Sequence, residues 1–281
     1  MATTKAKKAT KAKTTTKKAA PKKAAPKTKA LFAKRYTGNE TIQNVWKSPA
    51  FLGALLAELV GVFLLTIIVI ATQSSPLYVL FGIIGITVAI YALSGAHINP
   101  LITVGAAVTR RISSVRAIFY IVAQVLGALL AYVVLKSFIG GAPAATEEAA
   151  MFGAGAPELY TLAAIPETKE WFLVFTEVLA AGIFGFFFAS ALRYKRNVLT
   201  FAATIGVGIY VALILAITTA GFVSGGFVVN PAIAFALEAF MDQASLSWAI
   251  FIYAIAPLLG GVIGFVLSDL LANVTEATED A

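Results

Sequence analysis

Runs of about twenty apolar residues, each long enough to cross a bilayer, recur along this chain. They predict six spans at residues 50–71, 78–93, 115–138, 171–192, 199–220 and 246–271. Two stretches interrupt the pattern. SGAHINP (94–100) and SGGFVVNPA (224–232) each place an Asn-Pro pair after a glycine-rich approach, with small apolar residues following. Proline suits the first turn of a helix, where no backbone donor is needed. Asn immediately before it is a good N-cap. Each pair therefore predicts a short half-helix starting in mid-membrane, over 99–108 and over 230 to about 240. Non-helical backbone at that depth survives only where it is buried in protein or lines a water-filled cavity.

Polar residues inside the apolar runs sharpen this reading. Glu58 in AELVGVF and Glu177 in FTEVLAAGIFG are carboxylates within predicted spans, and such groups usually face the bundle interior. Gln124 in YIVAQVLGALLAY is a mid-span amide that needs a partner. Set side by side, the halves repeat: a span with a buried Glu, a second span, an Asn-Pro half-helix and a third span. Three spans per half force the second half to insert upside down, and the two half-helix N-termini then meet from opposite faces. The expected fold is an all-α membrane protein of six transmembrane helices plus two re-entrant half-helices in an inverted repeat.

Composition agrees and adds one element. Of 281 residues, 59% are hydrophobic and 13% charged, with a mean hydropathy of +0.86. There is no cysteine and a single histidine, so thiolate and multi-histidine metal sites are excluded. The formal charge of +8 comes from one end: residues 1–35 are almost only Lys, Ala, Thr and Pro. Such a segment cannot bury enough apolar surface to fold. It reads as a solvated cytoplasmic tail that fixes topology, or as an attachment to anionic lipid or nucleic acid. With Arg110, Arg111, Arg116, Arg193, Lys195 and Arg196 it predicts both termini in the cytoplasm, the Glu-bearing 139–170 connection lying opposite. The domain boundaries are a Lys-rich tail at 1–47, a membrane domain at 48–271 with half-repeats at about 48–138 and 170–271, and an acidic tail at 272–281. No phosphate loop, nucleophile motif or metal cluster is visible, so neither catalysis nor a cofactor is expected.

The order AELVGVF, SGAHINP, YIVAQVLGA, a second buried Glu, Asn-Pro-Ala and APLLGG resembles the aquaporin, or major intrinsic protein, family over about residues 48–271. The resemblance implies one pore per subunit, a homotetramer in the plasma membrane, and passive flux of water or small neutral solutes such as glycerol or urea. It implies that Asn99 and Asn230 are the paired pore-centre asparagines, and that Pro100, Leu101, Pro231 and Ala232 complete the two motifs. Glu58 and Glu177 match the glutamates that brace the re-entrant loops, with His97 beside the first motif.

Three departures from the family pattern stand out. Leu101 occupies a place where alanine is usual, Ile233 stands where most relatives carry the arginine of the outer constriction, and the approach TTAGFVSGGFVVNPA is lengthened. Counting from the motifs puts the outer constriction at Ile233, Leu213, Phe227 and either Val79 or Phe81, apolar and uncharged throughout. Two other classes of function stand beside the channel. One is a proton-coupled transporter working through Glu58 or Glu177. The other is a membrane-anchored interaction protein whose tail binds lipid or nucleic acid.

Overall fold

The computed structural model describes residues 1–2, 41, 45–141, 151, 158–194, 196–241 and 245–279, with side chains to residue 274. The chain divides at Leu31 and Phe32, and everything below concerns the second unit. Residues 3–40 and 42–44 of the Lys-rich tail, Glu147, Glu148 and Lys195 lie outside the described residues. Among those described, the regular structure is helical: α1 (Pro49–Ala71), α2 (Pro76–Ser94), α3 (Pro100–Val108), α4 (Ser114–Gly140), α5 (Glu170–Ala191), α6 (Val198–Gly221), α7 (Pro231–Ala236), α8 (Leu246–Ile250) and α9 (Ala256–Glu279). A π-helical turn, Phe251–Ile255, joins α8 to α9. Among the described residues six helices are long and apolar enough to cross a membrane, the sixth formed by Leu246–Val274.

The helix starts follow from local chemistry. Four helices begin at a proline, and three of these are capped by a side chain: Ser48 Oγ accepts from Phe51 N–H, Asn99 Oδ1 from Leu101 N–H and Asn230 Oδ1 from Ala232 N–H. Two boundaries move from their sequence-based positions. Val45 is buried and Trp46 packs edge-on against Phe119, with ring centroids 4.9 Å apart, so these residues join the membrane body although composition groups them with the tail. The last helix runs on to Glu279, past the boundary at 271.

The second half-helix, expected to reach about residue 240, ends at Ala236. A Schellman-type turn stops it. Glu238 adopts φ 57°, Ala239 N–H donates to Ala234 O at 3.0 Å, and Glu238 N–H donates to Phe235 O at 3.3 Å. The first half-helix ends the same way at Arg110, φ 58°. At each turn a side chain ties the half-helix to the last span of the other half. Arg111 pairs with Asp269 of α9 at 2.6 Å, and Glu238 accepts from Tyr132 of α4, with Lys136 at 3.9 Å.

The repeat extends to the helix seams. α4 crosses α1, and α9 crosses α5, at glycines. A Cβ on Gly127 would lie 2.3 Å from Leu59 O, and one on Gly260 would lie 2.3 Å from Val178 O. Leu59 and Val178 each follow the buried glutamate of their half. Close backbone approach thus sets how deep each glutamate sits. Because the obstacle is backbone, even alanine should be rejected. Gly127→Ala and Gly260→Ala are each expected to cost about 1–3 kcal/mol of stability. Gly53→Ala and Gly85→Ala, where a Cβ meets nothing within 4 Å, should be neutral. Thermal unfolding of the detergent-solubilised protein checks the contrast.

Candidate functional site

The two half-helices meet N-terminus to N-terminus, and the loops leading into them carry the strain of that meeting. Ile98 and Val229, each immediately before the motif asparagine, adopt φ 42° and 55°. For a β-branched residue this left-handed conformation is an outlier, costing about 1–3 kcal/mol unless the surroundings over-determine it. Here they do. Ile98 N–H donates to Glu58 Oε2 at 2.7 Å, while its carbonyl accepts from Asn230 Nδ2 at 3.1 Å. Val229 N–H donates to Glu177 Oε2 at 2.9 Å, while its carbonyl accepts from Asn99 Nδ2 at 2.9 Å. Each strained residue is held by the carboxylate of its own half and the amide of the other.

The carboxylates hold a second donor each. Glu58 Oε1 accepts His97 N–H at 2.9 Å, and Glu177 Oε1 accepts Val228 N–H. In the first half Gln124 Nε2 also donates to Glu58 Oε2, at 2.7 Å, and reaches Thr103 Oγ1 at 3.0 Å. Counted from the paired glycines, Pro257 stands at the position equivalent to Gln124, so the second half lacks this extra link. His97 is buried, with Nδ1 3.2 Å from Thr103 Oγ1 and its ring edge-on to Tyr120 and Phe188.

Between the loops and the spans lies a narrow cavity of about 30 Å³, room for about two waters at ~10–15 Å³ each. Asn99 and Asn230 line it, together with Val79, Leu213 and Ile233. A side-chain amide has two N–H donors. Each asparagine spends one across the seam, so one remains for whatever enters the cavity. The half-helix dipoles add partial positive charge at the same place. A cation there would meet two positive helix ends and lose its hydration. Neither Glu58 nor Glu177 lines the cavity: both stand behind the loop backbone, fully buried.

Not every residue singled out from the sequence faces this space. Phe81 is 64% exposed on the outer surface, whereas Val79 is 3% exposed and lines the cavity. Two residues of helix turn the side chain through about 200°, so only one of the two could face inward. Phe227 is buried but does not line the cavity. Leu101 also points away. It packs against α9 at Gly261, where a Cβ would lie 2.8 Å from the Leu101 carbonyl oxygen and 3.0 Å from its Cδ1, so this close approach of the half-helix to α9 requires glycine. Pro100, Pro231 and Ala232 are buried in the first turns. Sequence reasoning missed Leu65, Val69, Ser74, Ile83 and Ile209 in the wall. Leu65 and Val69 are one turn apart on α1, but nothing in an all-apolar helix marks that face.

A sequence model of the family described as "Major intrinsic protein" matches residues 45–267. The chain is 29% identical over 218 residues to "Glycerol uptake facilitator protein-like 6" of Lactiplantibacillus plantarum, covering 74% of this chain and 93% of that protein. It is 31% identical over 180 residues to "Probable aquaporin TIP1-2" of Oryza sativa subsp. japonica, covering 64% of this chain and 63% of that relative. The structure of an aquaglyceroporin from Plasmodium falciparum superposes with a TM-score of 0.60 at 19% identity, covering 79% of this chain and 99% of that one.

The bracing predicts a graded loss of stability. Glu58→Ala and Glu177→Ala each orphan two buried loop N–H groups, at about 1–3 kcal/mol per group. Both variants should give a much lower unfolding temperature and less folded protein on size exclusion. A folded, fully stable Glu177→Ala protein would contradict the bracing role.

Proposed function

The chain belongs to the major intrinsic protein family, and we propose that it is a passive channel for water and small neutral solutes, with Asn99 and Asn230 as the donors at its narrowest polar point. One observation carries the reading. Two half-helix N-termini converge on a water-sized cavity, and each presents there an asparagine with a free N–H donor. A permeating hydroxyl or water accepts from this pair while it crosses a largely aliphatic wall. The glutamates are committed to loop N–H groups, which argues against their use as proton carriers.

Water is favoured over glycerol in this reading. The wall around the pair is mostly aliphatic, with Val79, Leu213 and Ile233 among its residues, and it gives a solute wider than water little space and few hydrogen-bond partners. Ile233 takes the place that the family usually gives to arginine, so this stretch excludes solutes by size and dewetting rather than by fixed charge. A homotetramer in the plasma membrane, with both termini and the clusters around Arg111 and Arg193 in the cytoplasm, completes the proposal. The Lys-rich residues 1–35 supply a contact to anionic lipid headgroups on that face.

Stopped-flow light scattering on proteoliposomes tests the channel. Water permeability should exceed that of protein-free vesicles, follow the osmotic gradient without saturating and exceed glycerol permeability. Ile233→Ala removes three carbons from the wall and should raise the glycerol-to-water ratio severalfold. An unchanged ratio in a folded variant would place the constriction elsewhere. Deleting residues 1–40 should abolish the protein's extra retention on anionic over neutral liposomes without changing water flux. Retention that responds to added DNA and not to lipid charge would instead favour nucleic acid as the partner.

A further inference from the structure

We propose that Ser74, from the turn between the first two spans, is a specificity-determining residue of the pore: its hydroxyl keeps the apolar outer stretch wetted. The inference rests on the channel reading and goes beyond it, because it adds a polar wall group from a segment outside both motifs.

Ser74 follows the end of α1 at Ala71 and precedes α2, in the sequence QSSP. Successive left-handed residues, Gln73 at φ 50° and Ser74 at φ 59°, reverse the chain there. Ser74 N–H donates to Val69 O at 2.8 Å and closes the helix end. This turn leaves Gln73 exposed and folds Ser74 inward, to 5% exposure. Leu65, Val69 and Ser74 then form one continuous stripe of the cavity wall, and Asn99 and Asn230 line the same cavity. Apart from that asparagine pair, the lining side chains are Leu, Val and Ile, with Ser74 as the single hydroxyl.

Water confined between aliphatic side chains loses hydrogen bonds, and a polar molecule without partners in such a place is costly. Narrow apolar constrictions empty for this reason. A serine hydroxyl both donates and accepts, so it can replace a bond to a neighbouring water on either side. Ser74 sits past the end of α1, away from the mid-span asparagine pair, and so gives the water file a second partner toward the mouth. A turn residue with only a structural role would also explain a serine at this position, so the test must read the pore directly.

The chain has no cysteine, so Ser74→Cys introduces a single thiol of nearly the same size. Its water flux in proteoliposomes, compared before and after a small mercurial, should fall to the level of protein-free vesicles, while the parent stays insensitive. Ser74→Gly suits the left-handed backbone and removes the hydroxyl together with its Cβ, so it adds no bulk that could itself slow water. Its water permeability should drop about fivefold, the order expected for one lost hydrogen bond to water, and its activation energy should rise. Insensitivity of folded Ser74→Cys to the mercurial overturns the proposal. So does a Ser74→Gly protein with parental permeability and activation energy. Parental vesicles no more permeable than protein-free ones would overturn the channel reading itself, and this inference with it.

Discussion

Two left-handed, β-branched residues held between a carboxylate and an amide form the constraint on which the structure depends. A loop at mid-membrane depth has no water for its N–H groups, so they must find acceptors inside the protein. Glu58 and Glu177 supply those acceptors, two loop donors apiece. The conformation that aims these donors at a carboxylate also turns the Ile98 and Val229 carbonyls toward the opposite half, where the motif asparagines meet them. The position of both half-helices, the orientation of both asparagines and the width of the cavity all follow from that arrangement. The glycine contacts at Leu59 and Val178 belong to it as well, because they fix the helices on which the glutamates ride.

The outline of this arrangement is legible in the sequence. Asn-Pro inside an apolar run is a cap and a first helical turn in a place where only a re-entrant segment makes sense. Carboxylates inside spans announce buried donors that need them. The wall of the cavity is far less legible. Helix faces turned to lipid and faces turned to the core are both apolar here, so composition cannot rank Val79 over Phe81 or single out Leu65 and Val69. Loop geometry is the other limit. Ser74 reaches the cavity, and the second half-helix stops at Ala236, because of left-handed residues that are not glycine, and no local pattern in QSSP or LEAF foretells them.

The repeat is faithful where the backbone needs it and free elsewhere. Glutamate, strained residue, asparagine, proline and seam glycine all recur. The side chains that tie down the outer ends of the half-helices do not recur in kind. Arg111 reaches an aspartate, whereas Glu238 accepts from a tyrosine beside a lysine. Gln124 reinforces only the first carboxylate, with a proline at its counterpart. Such differences leave the pore centre symmetric while its two approaches diverge.

The bonds across the seam join residues 130 and 132 positions apart, and this sets an order of events during biosynthesis. When the first half emerges from the ribosome, the Ile98 carbonyl and the Asn99 amide have no partner, because residues 229 and 230 have yet to be made. The first re-entrant loop can therefore make its seam bonds only after the fifth span and the second motif have been made. Nascent chains halted before residue 230 should be poor candidates for a stable intermediate. The two halves are thus completed by each other, in a single late closing step.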